Sequence, residues 1–270
     1  MTDSQLAERP ITAHYEGGRL KFRIRPLFVE ALAVFSVIGL ALAATAPLAM
    51  HFAGSDWRFV TVSITVYLGI AALAAAGLRN HPHERFGAAN MITGVRAALT
   101  AIVAAFLIEA SRLGYEGETA LSWAVAGIAT LALLLDGVDG YAARRNGTQS
   151  SFGQRFDMEV DALLILLLSV LAFVSGKAGA FVILLGAMRY AYLAIHTLFP
   201  RLPNALAPSF ARKAVCVVQV SALCIMATPL VTPPESNLVA LGALAFLIWS
   251  FGRDLLSQVR QYPLRNRGRR

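Results

Sequence analysis

Charge is scarce in this sequence. Only 15% of its 270 residues are Asp, Glu, Lys or Arg, against about a quarter in an ordinary soluble domain. That shortage excludes a conventional water-facing surface around one core. Cysteine is scarcer still, with Cys216 and Cys224 alone. Eight residues apart on one predicted helix, they are separated by about 12 Å along its axis, too far for a disulfide. Neither has metal-site company, so both are read as core residues. Internal repeats and low-complexity segments are absent too. A cleaved leader does not fit either. The first apolar run ends in the small residues Ala41-Leu42-Ala43-Ala44-Thr45-Ala46, but its core of about 22 residues exceeds the 7–15 of a leader's apolar region. It is read as a retained helix.

Apolar residues fill the space that charge leaves. They make up 57% of the chain, the mean hydropathy is +0.60, and they are gathered into blocks. Eight runs, near 28–50, 59–78, 89–110, 119–141, 156–175, 179–198, 213–230 and 237–253, are long enough to span a bilayer as helices, which takes roughly 17–25 residues. A spanning segment must satisfy its backbone internally. The expected fold class is therefore an all-α integral membrane protein, a polytopic helical bundle.

The net charge of +8 is a membrane signal and not a nucleic-acid one, because its distribution follows the loops. With the N-terminus in the cytoplasm, nineteen Lys and Arg fall in inside segments. Only Arg58, Arg112 and Lys177 fall outside, and Arg96 and Arg189 lie within helices. That is a strong positive-inside bias. It puts both termini on the cytoplasmic side, where basic tails also suit anionic headgroups. Short loops and a compact basic chain suggest a bacterial cytoplasmic membrane. The expected organisation is a polar, basic tail over 1–27 with a short interfacial helix, and a two-helix addition over 28–88. A six-helix core over 89–253 and a basic tail over 254–270 follow.

Against this background four aspartates stand out. They occur as Asp136-x-x-Asp139-Gly140-x-x-Ala143-Arg144, then eight residues, then Gly153-x-x-x-Asp157-x-x-x-Asp161. A charged side chain at the bilayer centre costs roughly 2.5–3.5 kcal/mol on insertion scales, so something must offset it. Asp136 and Asp139 are spaced i, i+3 at the cytoplasmic end of the fourth helix, on one face. Asp157 and Asp161 are spaced i, i+4 near the start of the fifth, which Ser151-Phe152-Gly153-Gln154 opens as a capping box. The loop between them returns the chain to the same membrane side, so the two pairs can meet. Glu159 points about 200° away and is left out. Gly137 and Gly140 leave room for a close approach, and Arg144 offers a planar fork for phosphate oxygens. Converging carboxylates repel unless protonated or bridged by cations. All-oxygen donors select hard ions such as Mg²⁺, Mn²⁺ or Ca²⁺. Four carboxylates suit two such ions, the clamp used for displacement at phosphorus. The plainer alternative is a set of interfacial aspartates paired with Arg144, Arg145 and Arg155.

The full pattern, from Asp136 to Asp161 with its eight-residue spacer, resembles the signature of the CDP-alcohol phosphotransferases. Asn90-x-x-Thr93-x-x-Arg96 similarly resembles the segment that opens that family's first core helix. The resemblance implies an enzyme that cleaves the pyrophosphate of a CDP-linked alcohol, releases CMP and transfers the phosphoalkyl group to an acceptor hydroxyl. It implies that Asp136, Asp139, Asp157 and Asp161 hold two divalent ions, Mg²⁺ or Mn²⁺, and that Asp161 also takes the acceptor proton. It implies that Asn90, Thr93, Gly140, Arg144 and Ser150 contact the CDP moiety, and that the protein is a homodimer. The donor expected is CDP-diacylglycerol, with a phospholipid as product.

For the acceptor, Arg189 inside the sixth helix is a functional candidate, as any intramembrane arginine is. Arg212 and Lys213 open the seventh helix, with Gln219 further in, and the set suits a phosphorylated acceptor. Some phosphatidylglycerophosphate-type members carry Lys-Thr-x-x-Gln near this point. Lys213-Ala214-Val215-Cys216-Val217-Val218-Gln219 stands there instead, so glycerol phosphate is not singled out. The rival readings are a transferase with a soluble CDP-alcohol and a lipid acceptor, a prenyl-pyrophosphate transferase, and a non-enzymatic membrane transporter. Prenyl-binding sites have closer-packed Asp runs. Transport charges belong near the midplane, whereas these stand at helix ends.

Overall fold

The structure is a computed structural model that describes residues 11–16, 19–24, 26–52, 55–78, 85–113, 119–146, 150–198 and 210–267. Among these residues a hairpin, β1 (Ile11–Glu16) and β2 (Arg19–Ile24), precedes eight α-helices. They are α1 (Pro26–Phe52), α2 (Trp57–Gly77), α3 (Ala88–Leu113), α4 (Thr119–Asn146), α5 (Ser151–Val174), α6 (Ile183–Leu198), α7 (Phe210–Ala227) and α8 (Glu235–Arg267). Each apolar run corresponds to one helix, and the architecture is the all-α, polytopic one expected.

Among the described residues, five helical stretches are long and apolar enough to cross a membrane: Pro26–His51, Trp57–Gly77, Ala88–Arg112, Ala120–Val138 and Glu235–Arg253. The other helices are interrupted by charge or are short. α5 has 24 residues, but Arg155, Asp157, Glu159 and Asp161 occupy its first three turns. Among the described residues, shorter apolar stretches lie at Ala180–Ala191 and Ala214–Ala227. The N-terminal tail holds no interfacial helix among its described residues. It pairs as an antiparallel hairpin with register Ile11↔Ile24 through Glu16↔Arg19. Leu20, Phe22 and Ile24 alternate with Arg19, Lys21 and Arg23, the period of a strand.

The chain divides into two compact units. The first comprises residues 1–109 and 131–161. Its centre is aromatic, with Phe35 of α1 edge-on to Phe86 at 5.4 Å and to Phe156 at 6.0 Å. Phe152 stacks on Phe156 at 5.9 Å, and Phe59 of α2 meets Phe106 of α3 at 4.9 Å. Offset and edge-on pairs of this kind add about 0.5–1.5 kcal/mol each beyond their buried area. The Tyr67 hydroxyl donates to the Phe35 carbonyl at 2.8 Å, which satisfies a polar group that burial would otherwise penalise. Helix α1 therefore packs directly on the segment that opens α3 and on the start of α5, while α2 packs on the later part of α3 and, through Gly77, on Phe152.

The second unit comprises residues 110–130 and 162–270. Here Gly186 of α6 lies so close to α5 that a Cβ would stand 2.3 Å from the Leu166 Cα. Small residues permit such backbone approach between apolar helices. Lys177, in the turn after α5, donates to the carbonyls of Thr228 at 2.9 Å and Val231 at 2.7 Å. Cys216 and Cys224 form no disulfide.

Candidate active site

The site is assembled within the first unit from α3, α4 and α5. α3 begins at a fixed point. The Phe86 amide donates to Glu30 Oε2 of α1 at 3.2 Å, and Gly87 takes φ +81°, a left-handed conformation in which glycine carries no Cβ penalty. From there the spacing of three places Asn90, Thr93 and Arg96 on one helix face. All three are buried, a polar stripe inside an apolar span. The Asn90 amide nitrogen donates to the Phe86 carbonyl, and the Thr93 hydroxyl donates to the Ala89 carbonyl at 3.1 Å.

The start of α5 differs from expectation by one residue. Ser150, not Ser151, is the N-cap: its Oγ accepts from the Gly153 amide at 2.9 Å, and its carbonyl accepts from the Gln154 amide at 3.0 Å. Gly153 thereby occupies the N3 position, where no side chain can complete a capping box. A different contact accounts for that glycine. A Cβ at position 153 would meet Asn90 Oδ1 at 2.8 Å and Ser150 Oγ at 3.2 Å. Gly153 is what lets α5 lie under the Asn90 amide, and so fixes the distance from α3 to the carboxylates one and two turns further on.

Those carboxylates converge. One oxygen each of Asp136 from α4 and of Asp157 and Asp161 from α5 lies within 4.8 Å of the others. All three side chains are partly open, at 33%, 33% and 22% exposure. At an effective dielectric of about 20, like charges at that separation repel by roughly 3–4 kcal/mol per pair. A cation sits among them. Arg96, with its side chain 1% exposed, places Nη1 at 3.3 Å from Asp136 Oδ1. The same nitrogen donates to Asp157, and Nη2 donates to Asp161. The Arg96 carbonyl in turn accepts from the Thr100 hydroxyl at 2.8 Å.

Sequence reasoning left Arg96 out of the site. The argument that singles out Arg189, an arginine inside an apolar span, singles out Arg96 as well. Its place six residues after Asn90 on the same face was the available signal.

The remaining candidates are distributed as follows. Gly140 is half-exposed on α4, and Gly137 is exposed, with no contact from other described elements where a Cβ would stand. The side chains of Asp139, Arg144, Arg212 and Lys213 lie outside the described residues. Glu159 is exposed and is not part of the cluster. Arg189 is half-buried on α6 in the second unit. Gln219 is buried there, its amide donating to the Leu185 carbonyl at 3.3 Å.

Hard oxygen donors this close together fit a divalent cation. The presence of a buried guanidinium among them shows that the cluster demands positive charge. The arrangement can therefore hold an anion-bridging metal beside a polar strip of Asn90, Thr93 and Ser150.

A family model described as CDP-alcohol phosphatidyltransferase matches residues 86–249, more than half of the chain. The match contains all three clustered aspartates, Arg96 and the Asn90 strip. No curated protein and no solved structure matches the chain.

Proposed function

The chain belongs to the CDP-alcohol phosphatidyltransferase family, and from that premise we propose an integral-membrane enzyme that moves a phosphatidyl group from CDP-diacylglycerol to an acceptor alcohol. The observation that carries this reading is the convergence of Asp136, Asp157 and Asp161 from two helices within 4.8 Å, beside the buried Asn90, Thr93 and Ser150.

Asp136, Asp139, Asp157 and Asp161 would hold Mg²⁺ or Mn²⁺. Such ions would neutralise the pyrophosphate and stabilise the charge on departing CMP. The chain's own groups do the rest. Asn90, Thr93, Gly140, Arg144 and Ser150 hold the CDP moiety in place. Asp161 accepts the proton of the acceptor hydroxyl. The acceptor oxygen forms its bond to the lipid-side phosphorus as the bond from that phosphorus to the bridging oxygen breaks, and CMP leaves with that oxygen. Arg189, Arg212 and Lys213 supply the positive charge that a phosphorylated acceptor needs.

The charge distribution of the loops supports cytoplasmic termini and a cytoplasmic site in a bacterial inner membrane. Residues 28–88 are proposed as an addition to a six-helix core over 89–253, and the protein as a homodimer. The test is direct. Purified protein receives CDP-diacylglycerol with Mg²⁺ or Mn²⁺ and a panel of glycerol 3-phosphate, inositol phosphate, serine, inositol, choline and a lipid alcohol. CMP release that requires both metal and one acceptor is expected. Turnover with a soluble CDP-alcohol and a lipid acceptor alone would move the donor assignment. Absence of any metal-dependent CMP release would end the transferase reading.

A further inference from the structure

Burying a guanidinium in an apolar span is unfavourable unless its partners are good. The partners of Arg96 include the three carboxylates that approach one another within 4.8 Å. A guanidinium spreads one charge over a planar fork and binds carboxylates through N–H donors. A divalent ion concentrates two charges and takes the same oxygen lone pairs at about 2.0–2.6 Å. Both cannot hold those oxygens fully. We propose that Arg96 is a positioning residue that stands in for divalent metal. In the metal-free protein it keeps Asp136, Asp157 and Asp161 clustered, and metal binding displaces it from at least part of them.

This inference rests on the reading of the aspartates as a metal site. It has two physical consequences. Without Arg96 the metal-free cluster would open under its own repulsion. With Arg96, metal must compete against an internal cation, so affinity is lower than the bare carboxylates would give. Both effects belong to one thermodynamic cycle. Whatever destabilises the metal-free fold more than the metal-bound fold must tighten metal binding.

The experiment uses the full chain in nanodiscs, with melting temperature read in EDTA and in saturating Mn²⁺, and the Mn²⁺ dissociation constant read by electron paramagnetic resonance. Arg96→Met is expected to melt well below wild type in EDTA and to recover most of the difference in Mn²⁺. Its Mn²⁺ affinity should be about tenfold tighter. Arg96→Lys, whose compact ammonium cannot fork across three carboxylates, should shift in the same direction by less. In the double variant Arg96→Met with Asp157→Asn, cation and anion leave together, and part of the melting temperature in EDTA should return. An equal drop in EDTA and in Mn²⁺ would make Arg96 a packing residue and overturn the proposal, as would unchanged Mn²⁺ affinity. Failure of every variant to fold even in saturating Mn²⁺ would overturn it too, because metal would then not replace the cation. A wild-type protein that binds no Mn²⁺ would instead sink the metal site itself.

Discussion

Two buried cations, one in each unit, meet oxygen atoms in different ways. Arg96 is 1% exposed and faces carboxylates of Asp136, Asp157 and Asp161. Lys177 is 8% exposed and faces the main-chain carbonyls of Thr228 and Val231. Its own carbonyl accepts from the Ser236 hydroxyl. The carbonyls are neutral dipoles held by the backbone. Burial accordingly pushes the Lys177 ammonium below the ordinary lysine value. The carboxylates are charged, partly open, and capable of taking another cation. A cation among fixed neutral acceptors ties a turn together, whereas one among exchangeable charged acceptors marks a place where charge is meant to change.

The largest effect expected on this contrast is at Asp161. Asp161→Asn keeps the shape but removes both the proposed base and a charge partner of Arg96. A fall in kcat of about 10²–10⁴-fold is expected, measured as CMP release in protein shown to be folded. Full activity would remove Asp161 from the mechanism. Lys177→Met tests the other side. It removes two hydrogen bonds to part-buried carbonyls, at a cost of about 1 kcal/mol each, and the loss should be the same in EDTA and in Mn²⁺ while kcat is unchanged. A metal-dependent loss at Lys177 would erase the distinction between the two cations.

Smaller effects follow at the margins. Gly153→Ala puts a methyl group against Asn90 Oδ1, 2.8 Å away, so Asn90 or α5 must shift. A drop in kcat/KM on the order of tenfold is expected, since displacement by an ångström can cost about 10²-fold. Non-additivity with Asn90→Ala would show that the two act together. Smallest is the pH dependence from Lys177. Its folded value lies below the ordinary 10.5, so between the two the unfolded chain binds more protons and stability rises with pH. The melting-temperature gap between wild type and Lys177→Met should widen as pH rises through that window. A flat gap would mean that burial does not act on Lys177.

Much of the fold was readable in the residues themselves. Run length alone located all eight helices, because a backbone in hydrocarbon has no alternative to internal hydrogen bonding. The N-terminal hairpin was missed although Leu20, Phe22 and Ile24 alternate with basic residues. A basic tail beside a membrane invited the helical reading. The cap of α5 was off by one, since Ser150 and Ser151 are chemically equivalent and only the hydrogen bond to Gly153 separates them.

By itself the sequence determined which residues share a helix face. Asp157 with Asp161, and Asn90 with Thr93 and Arg96, follow from the helical period, which is local and independent of the rest of the chain. Tertiary structure alone decided that Arg96 meets Asp157 and Asp161 from 61 and 65 residues away, and that Gly153 lies under Asn90. Contacts across helices depend on how buried surfaces fit and on which charges must be neutralised together. Neither is encoded in the spacing of a single segment.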